Sequence, residues 1–186
     1  MPPKVKVTKD AIVDMAVEIV RAQGPEALNA RNVASALNCS TQPVFSNFDT
    51  MEALRYTVLL KADALYKEYM RREVESGKYP TYKASGMAYI RFAKEQSQLF
   101  RLLYMRDRSA ELRDIESSRD HSMEQLVQSN TGLTPTESKL FHLEMWAYVH
   151  GIATMFATGF LDIEWELVSQ MLTDAYQGLR KQYERV

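Results

Sequence analysis

Two of the three histidines, His142 and His150, flank Trp146 at four-residue intervals, and regularly spaced imidazoles are candidate metal ligands. Four-residue steps put side chains on roughly one face of a helix. At about 1.5 Å per residue, however, the two histidines lie about 12 Å apart along the helix axis, too far for one metal ion. With no third ligand at a fitting spacing, the sequence predicts no metal site and no cofactor, and a structural or pocket-lining role for His150.

A second candidate for chemistry is the stretch "NARNVASALNCSTQPVFSNF", residues 29–48, which contains two short apolar-patterned segments. Asn29 is a favourable N-cap for the first helix, and Asn38 tolerates the left-handed conformation that ends it. Ser40 is expected to cap the second helix, with Pro43 in its first turn. Two helices joined by a turn of about three residues match the helix-turn-helix unit, whose second helix enters the DNA major groove.

Longer helices must brace these two, because neither would be stable alone. Apolar residues recur at three- and four-residue steps throughout the chain, which predicts an all-α fold of about nine helices. Thr8 and Asp49 are expected to cap the flanking helices 9–23 and 51–76, and "TPTE" at Thr134 is a capping-box start. The remaining helices are predicted near 81–95, 98–106, 110–129, 135–158 and 163–183.

Length, charge and cysteine content indicate what kind of protein this is and in which compartment it is expected. The chain has 186 residues, a net charge of −1 and one cysteine, Cys39. It is long enough for a real core, and the near-zero net charge predicts neither nucleic-acid affinity nor a role on acidic substrates. A lone cysteine, no leader pattern and no apolar run that could cross a bilayer favour a soluble cytoplasmic protein.

Residues 8 to about 60 resemble the DNA-binding domain of the TetR family of regulators: an amphipathic helix, the "RNVASALNCSTQPVFSNF" pattern, and a long helix that opens with "DTMEAL". In the C-terminal half, "WAYVHGIA" is similar to a Trp and His-Gly pattern of one branch of that family. The resemblance implies a DNA-binding domain at 1–50 and an effector-binding and dimerisation domain at 51–186. It also implies a homodimer that binds a palindromic operator on double-stranded DNA, usually represses, and is released by a small-molecule effector.

Carried over residue by residue, the resemblance implies DNA contacts at Lys4, Lys6, Arg31, Ser40, Thr41, Gln42, Pro43, Phe45, Ser46 and Asn47. Among the base-facing positions, Gln42 is the one able to form a bidentate bond to adenine. Two departures remove phosphate contacts, since Phe45 stands where tyrosine is common and Met51 where lysine is common. Because salt dependence scales with the number of neutralised phosphates, a shallower salt slope than is typical of such dimers is expected.

The C-terminal half offers two further sets of candidates. An effector pocket needs apolar walls with a few polar tips, which suggests Tyr89, Phe92, Tyr104, Trp146 and His150, although core packing accounts for most aromatic residues. Close helix approach is allowed by the small residues Ala147, Gly151, Ala157 and Gly159, which suits either packing within the chain or the two-helix dimer bundle that the resemblance implies. We favour a dimer interface formed by the last two helices.

Three functional classes stay open at this point. A DNA-binding regulator ranks first, and a helical protein-interaction module with weakened DNA binding ranks second because of the missing phosphate contacts. An enzyme ranks last, because the sequence contains no phosphate-binding glycine loop, nucleophile elbow or spaced metal cluster. We therefore expect a protein that is not an enzyme.

Overall fold

A computed structural model describes residues 7–107 and 122–183, which form nine α-helices and no strand. The all-α expectation is confirmed. In chain order the helices are α1 (Lys9–Gln23), α2 (Ala30–Ala36), α3 (Gln42–Asn47), α4 (Met51–Glu75), α5 (Thr81–Glu95), α6 (Ser97–Tyr104), α7 (Ser122–Thr131), α8 (Pro135–Ala157) and α9 (Trp165–Tyr183). Part of the helix predicted over 110–129 lies outside the described residues. None of the described helices is long and apolar enough to cross a bilayer.

The described residues group into two compact units. The first comprises residues 7–67 and Gln96–Arg106, and the second comprises Glu68–Glu95, residue 107 and residues 122–183. The division between the units therefore falls inside α4. The functional boundary between residues 50 and 51 stays a prediction.

Helix starts follow local cap chemistry, with two corrections. The Thr8 hydroxyl accepts from the Ala11 backbone N–H at 3.2 Å, and Thr134 and Glu137 form the expected capping box. The cap predicted at Ser40 is wrong, because Thr41 takes the N-cap position of α3. The cap predicted at Asp49 is also wrong: the Thr50 hydroxyl accepts from the Ala53 N–H at 3.1 Å. α3 therefore starts one position later than a Ser40 cap implies, whereas α4 starts at Met51 as predicted.

In the first unit, α1 packs against α2, α3 and α6. Its apolar stripe is buried, with Ile12, Ala16 and Val20 fully shielded from solvent. Gly24 ends α1 at φ 88°, a conformation that disfavours other residues, as the Gly-Pro stop signal predicted. This packing supplies the bracing that the two short helices require.

In the second unit, α5 packs against α8 and α9. A Cβ built on Gly86 would lie 3.4 Å from Val149 Cγ2 and 3.2 Å from Leu172 Cδ1, so the missing side chain permits this close approach. Tyr82 pairs with His142 and Tyr89 with His150, and this order shows that α5 and α8 run parallel. The faces of α5 and α8 that meet are therefore mostly apolar, with two tyrosine–histidine contacts.

Candidate nucleic-acid interface and effector-domain site

The α2–α3 pair has the geometry of a helix-turn-helix. Asn29 caps α2, its side-chain oxygen accepting from the Asn32 N–H at 2.9 Å. Asn38 adopts φ 51°, the left-handed conformation expected of it, and Pro43 lies in the first turn of α3. Five residues, 37–41, separate the two helices, two more than the predicted turn of about three.

Buried apolar side chains fix this pair to the rest of the first unit. Val33 and Val44 are fully buried, and Phe48 is nearly so. The Arg55 guanidinium on α4 donates to the Leu28 carbonyl at 2.9 Å, just before α2 begins. The side chains not used in packing are thereby held on a rigid surface, which is what base recognition needs.

The outward face of α3 carries Gln42, Phe45 and Ser46, all exposed. The Ser46 hydroxyl donates to the Gln42 carbonyl at 2.9 Å, and the Asn47 side-chain amide donates to the Pro43 carbonyl at 2.8 Å. Ser46 and Asn47 therefore each donate a hydrogen bond to a backbone carbonyl of α3 itself. Among the described residues the Gln42 side chain makes no hydrogen bond, so both its donor and its acceptor remain available.

The other candidate DNA contacts are placed as follows. Arg31 and Ser40 are exposed, while Thr41, Pro43 and Asn47 are half-buried. Phe45 is 51% exposed, so it is not a core residue. Lys4 and Lys6 lie outside the described residues.

Three of the five candidate effector residues come together in the second unit. The Tyr89 hydroxyl lies 2.9 Å from His150 Nδ1, and the His150 ring stacks on Trp146 with centroids 5.0 Å apart and planes 13° apart. Tyr89 is buried, whereas Trp146 is 43% exposed. Burial lowers the pKa of His150, because the imidazolium loses hydration there. This cluster of Tyr89, Trp146 and His150 combines flat apolar surfaces with polar tips, as ligand-binding sites do.

The other two effector candidates pack elsewhere. Phe92 is fully buried and meets Tyr69 edge-on at 5.4 Å. Tyr104 belongs to the first unit, where it contacts Tyr66 and Phe100. The structure therefore groups Tyr89 with Trp146 and His150 and does not show Tyr104 in the same unit.

Comparison with known protein families assigns the chain to one of them. A family model described as "Tetracyclin repressor-like, C-terminal domain" matches residues 82–175, just over half of the chain. The chain belongs to the TetR-like family of transcriptional regulators.

Structural comparison agrees with this assignment. The fold of this TetR-like regulator is similar to that of a TetR-like transcriptional regulator from Rhodococcus sp. RHA1, with a TM-score of 0.69. The two share 17% sequence identity over 96% of this chain and 98% of the other. No curated protein sequence matches the regulator.

The second unit of the TetR-like regulator also holds a cluster that sequence reasoning missed. The Arg91 guanidinium lies 4.4 Å from the Trp165 ring centroid, and the Lys94 ammonium lies over both Trp165 and Phe156. Lys94 also pairs with Asp162 at 2.5 Å. The cations stand three residues apart on α5, but their aromatic partners are distant in sequence, so no local pattern indicates the cluster.

The candidate dimer residues of the TetR-like regulator differ in exposure. Ala147 and Gly159 are exposed, Gly151 is half-buried, and Ala157 is buried within its own subunit. A Cβ on Gly151 would meet no atom within 4 Å. One face of α8, which we name the α8 face, consists of Leu140, Leu143, Ala147, Gly151 and Met155. It presents large apolar side chains around two small residues.

Proposed function

We propose that this TetR-like regulator is a repressor that binds a palindromic operator as a homodimer and is released by a small-molecule effector. The observation that carries the proposal is the exposed face of α3, on which Gln42 keeps its amide available beside Phe45. On this reading α3 enters the major groove, and Gln42 pairs with the N6 and N7 atoms of an adenine. Arg31, Ser40, Thr41, Pro43, Ser46 and Asn47, with the Lys4 and Lys6 arm, contact the backbone or flanking bases.

Homodimerisation is proposed through α8 and α9, because the α8 face is apolar and exposed. Leu140 is 50% exposed and Leu143 is 48% exposed, which is unusual for leucines on a long helix unless another surface covers them. Ala147 and Gly151 lie between Leu143 and Met155 on this face and let a partner helix approach closely. Gly159 follows α8, and Ala157 supports the interface from inside the subunit.

The effector site is proposed around the Tyr89, Trp146 and His150 cluster of the second unit. The half-exposed Trp146 ring offers a stacking surface, and the His150 and Tyr89 polar atoms offer hydrogen bonds. This chemistry suits a flat, weakly polar organic molecule. We further propose that the protein acts in the cytoplasm, without a cofactor and without enzymatic activity.

Fluorescence anisotropy with DNA that flanks the protein's own coding region tests the DNA-reading proposal. We expect sequence-preferring binding by the wild type and a loss of about 1–3 kcal/mol of discrimination per half-site in Gln42→Ala. Gln128→Ala, at an exposed glutamine on α7, is the matched control and should bind as the wild type does. Binding without sequence preference at low salt would refute the proposal.

One observation favours a second candidate, a helical protein-interaction module with weakened DNA binding. Phe45, Tyr56 and Leu60 of the first unit are each at least half exposed, and exposed apolar side chains are typical of protein-binding surfaces. This candidate predicts that the wild type and Gln42→Ala bind DNA equally weakly. The same titration therefore separates the two functions.

A further inference from the structure

Phe45 is an exposed apolar residue on α3, whose other exposed side chains, Gln42 and Ser46, are polar. It is 51% exposed, although Val44 beside it is fully buried. The ring therefore does not complete the core of the helix-turn-helix. A phenylalanine that is left half in water gains free energy when another apolar group covers it.

The position of Phe45 on α3 limits what that group can be. Phe45 follows Gln42 by three residues, which puts both side chains on one face of the helix within a turn of each other. A group that covers Phe45 must therefore lie beside whatever Gln42 contacts. If Gln42 contacts a base edge in the major groove, Phe45 meets the edge of the same or a neighbouring base pair.

The apolar side chain of Phe45 limits which base it can contact. Phenylalanine has no donor or acceptor, so it cannot bind a phosphate oxygen or the polar atoms of a base edge. The 5-methyl group of thymine is the apolar group on the base edges that line the major groove, and a phenylalanine ring is among the side chains that pack on it.

We infer that Phe45 reads thymine by packing its ring on the 5-methyl group, next to the base pair that Gln42 reads. This inference rests on the proposed function. Phe45 stands where tyrosine is common in the family. On this inference, the phenylalanine lacks the non-specific phosphate contact that a tyrosine hydroxyl makes and gains a base-specific contact with thymine. Gln42 and Phe45 together then favour an A·T-rich half-site.

Replacing thymine by uracil tests the inference, because it removes only the methyl group and keeps Watson–Crick pairing. The preferred duplex is first selected from random sequences with the wild-type protein, and each thymine is then replaced in turn. At one thymine position per half-site we expect uracil to weaken binding on the order of fourfold, the value of one buried methyl-sized group. Replacement in both half-sites should weaken it on the order of fifteenfold.

Protein variants make the assignment specific to Phe45. Phe45→Ala should bind the thymine duplex about as weakly as the wild type binds the uracil duplex, and should not distinguish the two bases. Leu60→Ala is the matched control, since Leu60 is 50% exposed on α4 of the same unit, and it should keep the wild-type ratio. Circular dichroism of each variant should match the wild type, because neither side chain is buried.

Three results would overturn the inference, and only the last of them also overturns the proposed function. If the wild type selects one sequence but tolerates uracil everywhere, or if Phe45→Ala keeps the wild-type ratio, then Phe45 does not read thymine and the proposed function stands. If the wild type selects no sequence, the proposed function fails and the inference fails with it.

Discussion

The Tyr89 hydroxyl lies 2.9 Å from His150 Nδ1 and joins α5 to α8. The imidazole ring of His150 also stacks on the indole ring of Trp146. The His150 ring is therefore held between a buried phenol and a half-exposed indole. Its protonation state is expected to influence both the packing of α5 on α8 and the proposed effector site.

The first prediction concerns pH. Burial lowers the folded-state pKa of His150, so the unfolded chain binds more protons between that pKa and the unfolded value near 6.5. The free energy of unfolding should therefore fall as the pH drops from 7.5 through 6.5, and the contribution of His150 should level off below the folded pKa. Urea unfolding at several pH values and a fixed protein concentration measures this.

Two variants separate burial from hydrogen bonding as the cause. His150→Asn should lose this part of the pH dependence, because the titrating group is gone. Tyr89→Phe should keep it, because the imidazole stays partly shielded from water. An unchanged slope in His150→Asn would assign the pH dependence to other groups.

The second prediction concerns the start of α8. Thr134→Ala removes the hydroxyl that accepts from the Glu137 N–H, and it should destabilise the protein by about 1 kcal/mol. Thr136→Ala, an exposed neighbour, should change stability by less than about 0.5 kcal/mol. Equal effects of the two variants in urea unfolding would argue against the capping box.

The capping box also carries a pH signature. Hydrogen bonds from Thr134 lower the pKa of Glu137, so their stabilising contribution is present above the unfolded pKa of glutamate and is lost as the pH falls through the folded value. In Thr134→Ala this loss at acid pH should be smaller than in the wild type. NMR titration of the Glu137 side chain measures the pKa directly.

The third prediction concerns the contact of α5 with α8 and α9. Gly86→Leu inserts a side chain whose Cβ alone would lie 3.2 Å from Leu172 Cδ1, and it should destabilise the protein by about 1–3 kcal/mol. Gly178→Leu adds the same atoms to α9, but a Cβ at this position would have no atom within 4 Å. This variant should therefore be neutral or stabilising. Thermal unfolding of the two variants would contradict the packing if Gly86→Leu were the more stable.

The fourth prediction concerns the α8 face. A Cβ on Gly151 meets no atom of its own subunit within 4 Å, so Gly151→Arg should fold normally but push a partner helix away. Sedimentation velocity at micromolar concentration should show a dimer for the wild type and a monomer for Gly151→Arg. Gln128→Arg, at an exposed position on α7, should remain dimeric. A Gly151→Arg dimer would rule out this face as the interface.

The features that could be predicted from the sequence are local. Asn29 and Thr134 cap helices through bonds to the third residue beyond them, and Asn38 takes a conformation that few residue types tolerate. Where two cap-competent residues are adjacent, as at Ser40 and Thr41, local chemistry does not choose between them. Thr41 takes the N-cap position of α3 without a side-chain hydrogen bond to the helix, so the prediction was wrong by one residue.

Contacts between distant residues could not be predicted in this way. Tyr89 and His150 were both candidates, but their pairing depends on the parallel packing of α5 on α8. Tyr104 fits an effector pocket by residue type, yet it packs in the first unit. Ala157 fits a dimer interface by size, yet its own subunit buries it. Residue type indicates what a side chain can do, whereas its neighbours follow from the packing of whole helices.

The measurement that tests the central claim most directly is hydroxyl-radical footprinting of the wild-type protein on DNA that flanks its coding region. If two α3 helices of a homodimer read one operator, two protected patches related by two-fold symmetry should appear, with centres about one helical turn, roughly 34–36 Å, or a multiple of it apart. Uniform protection, or none at low salt, would contradict the account.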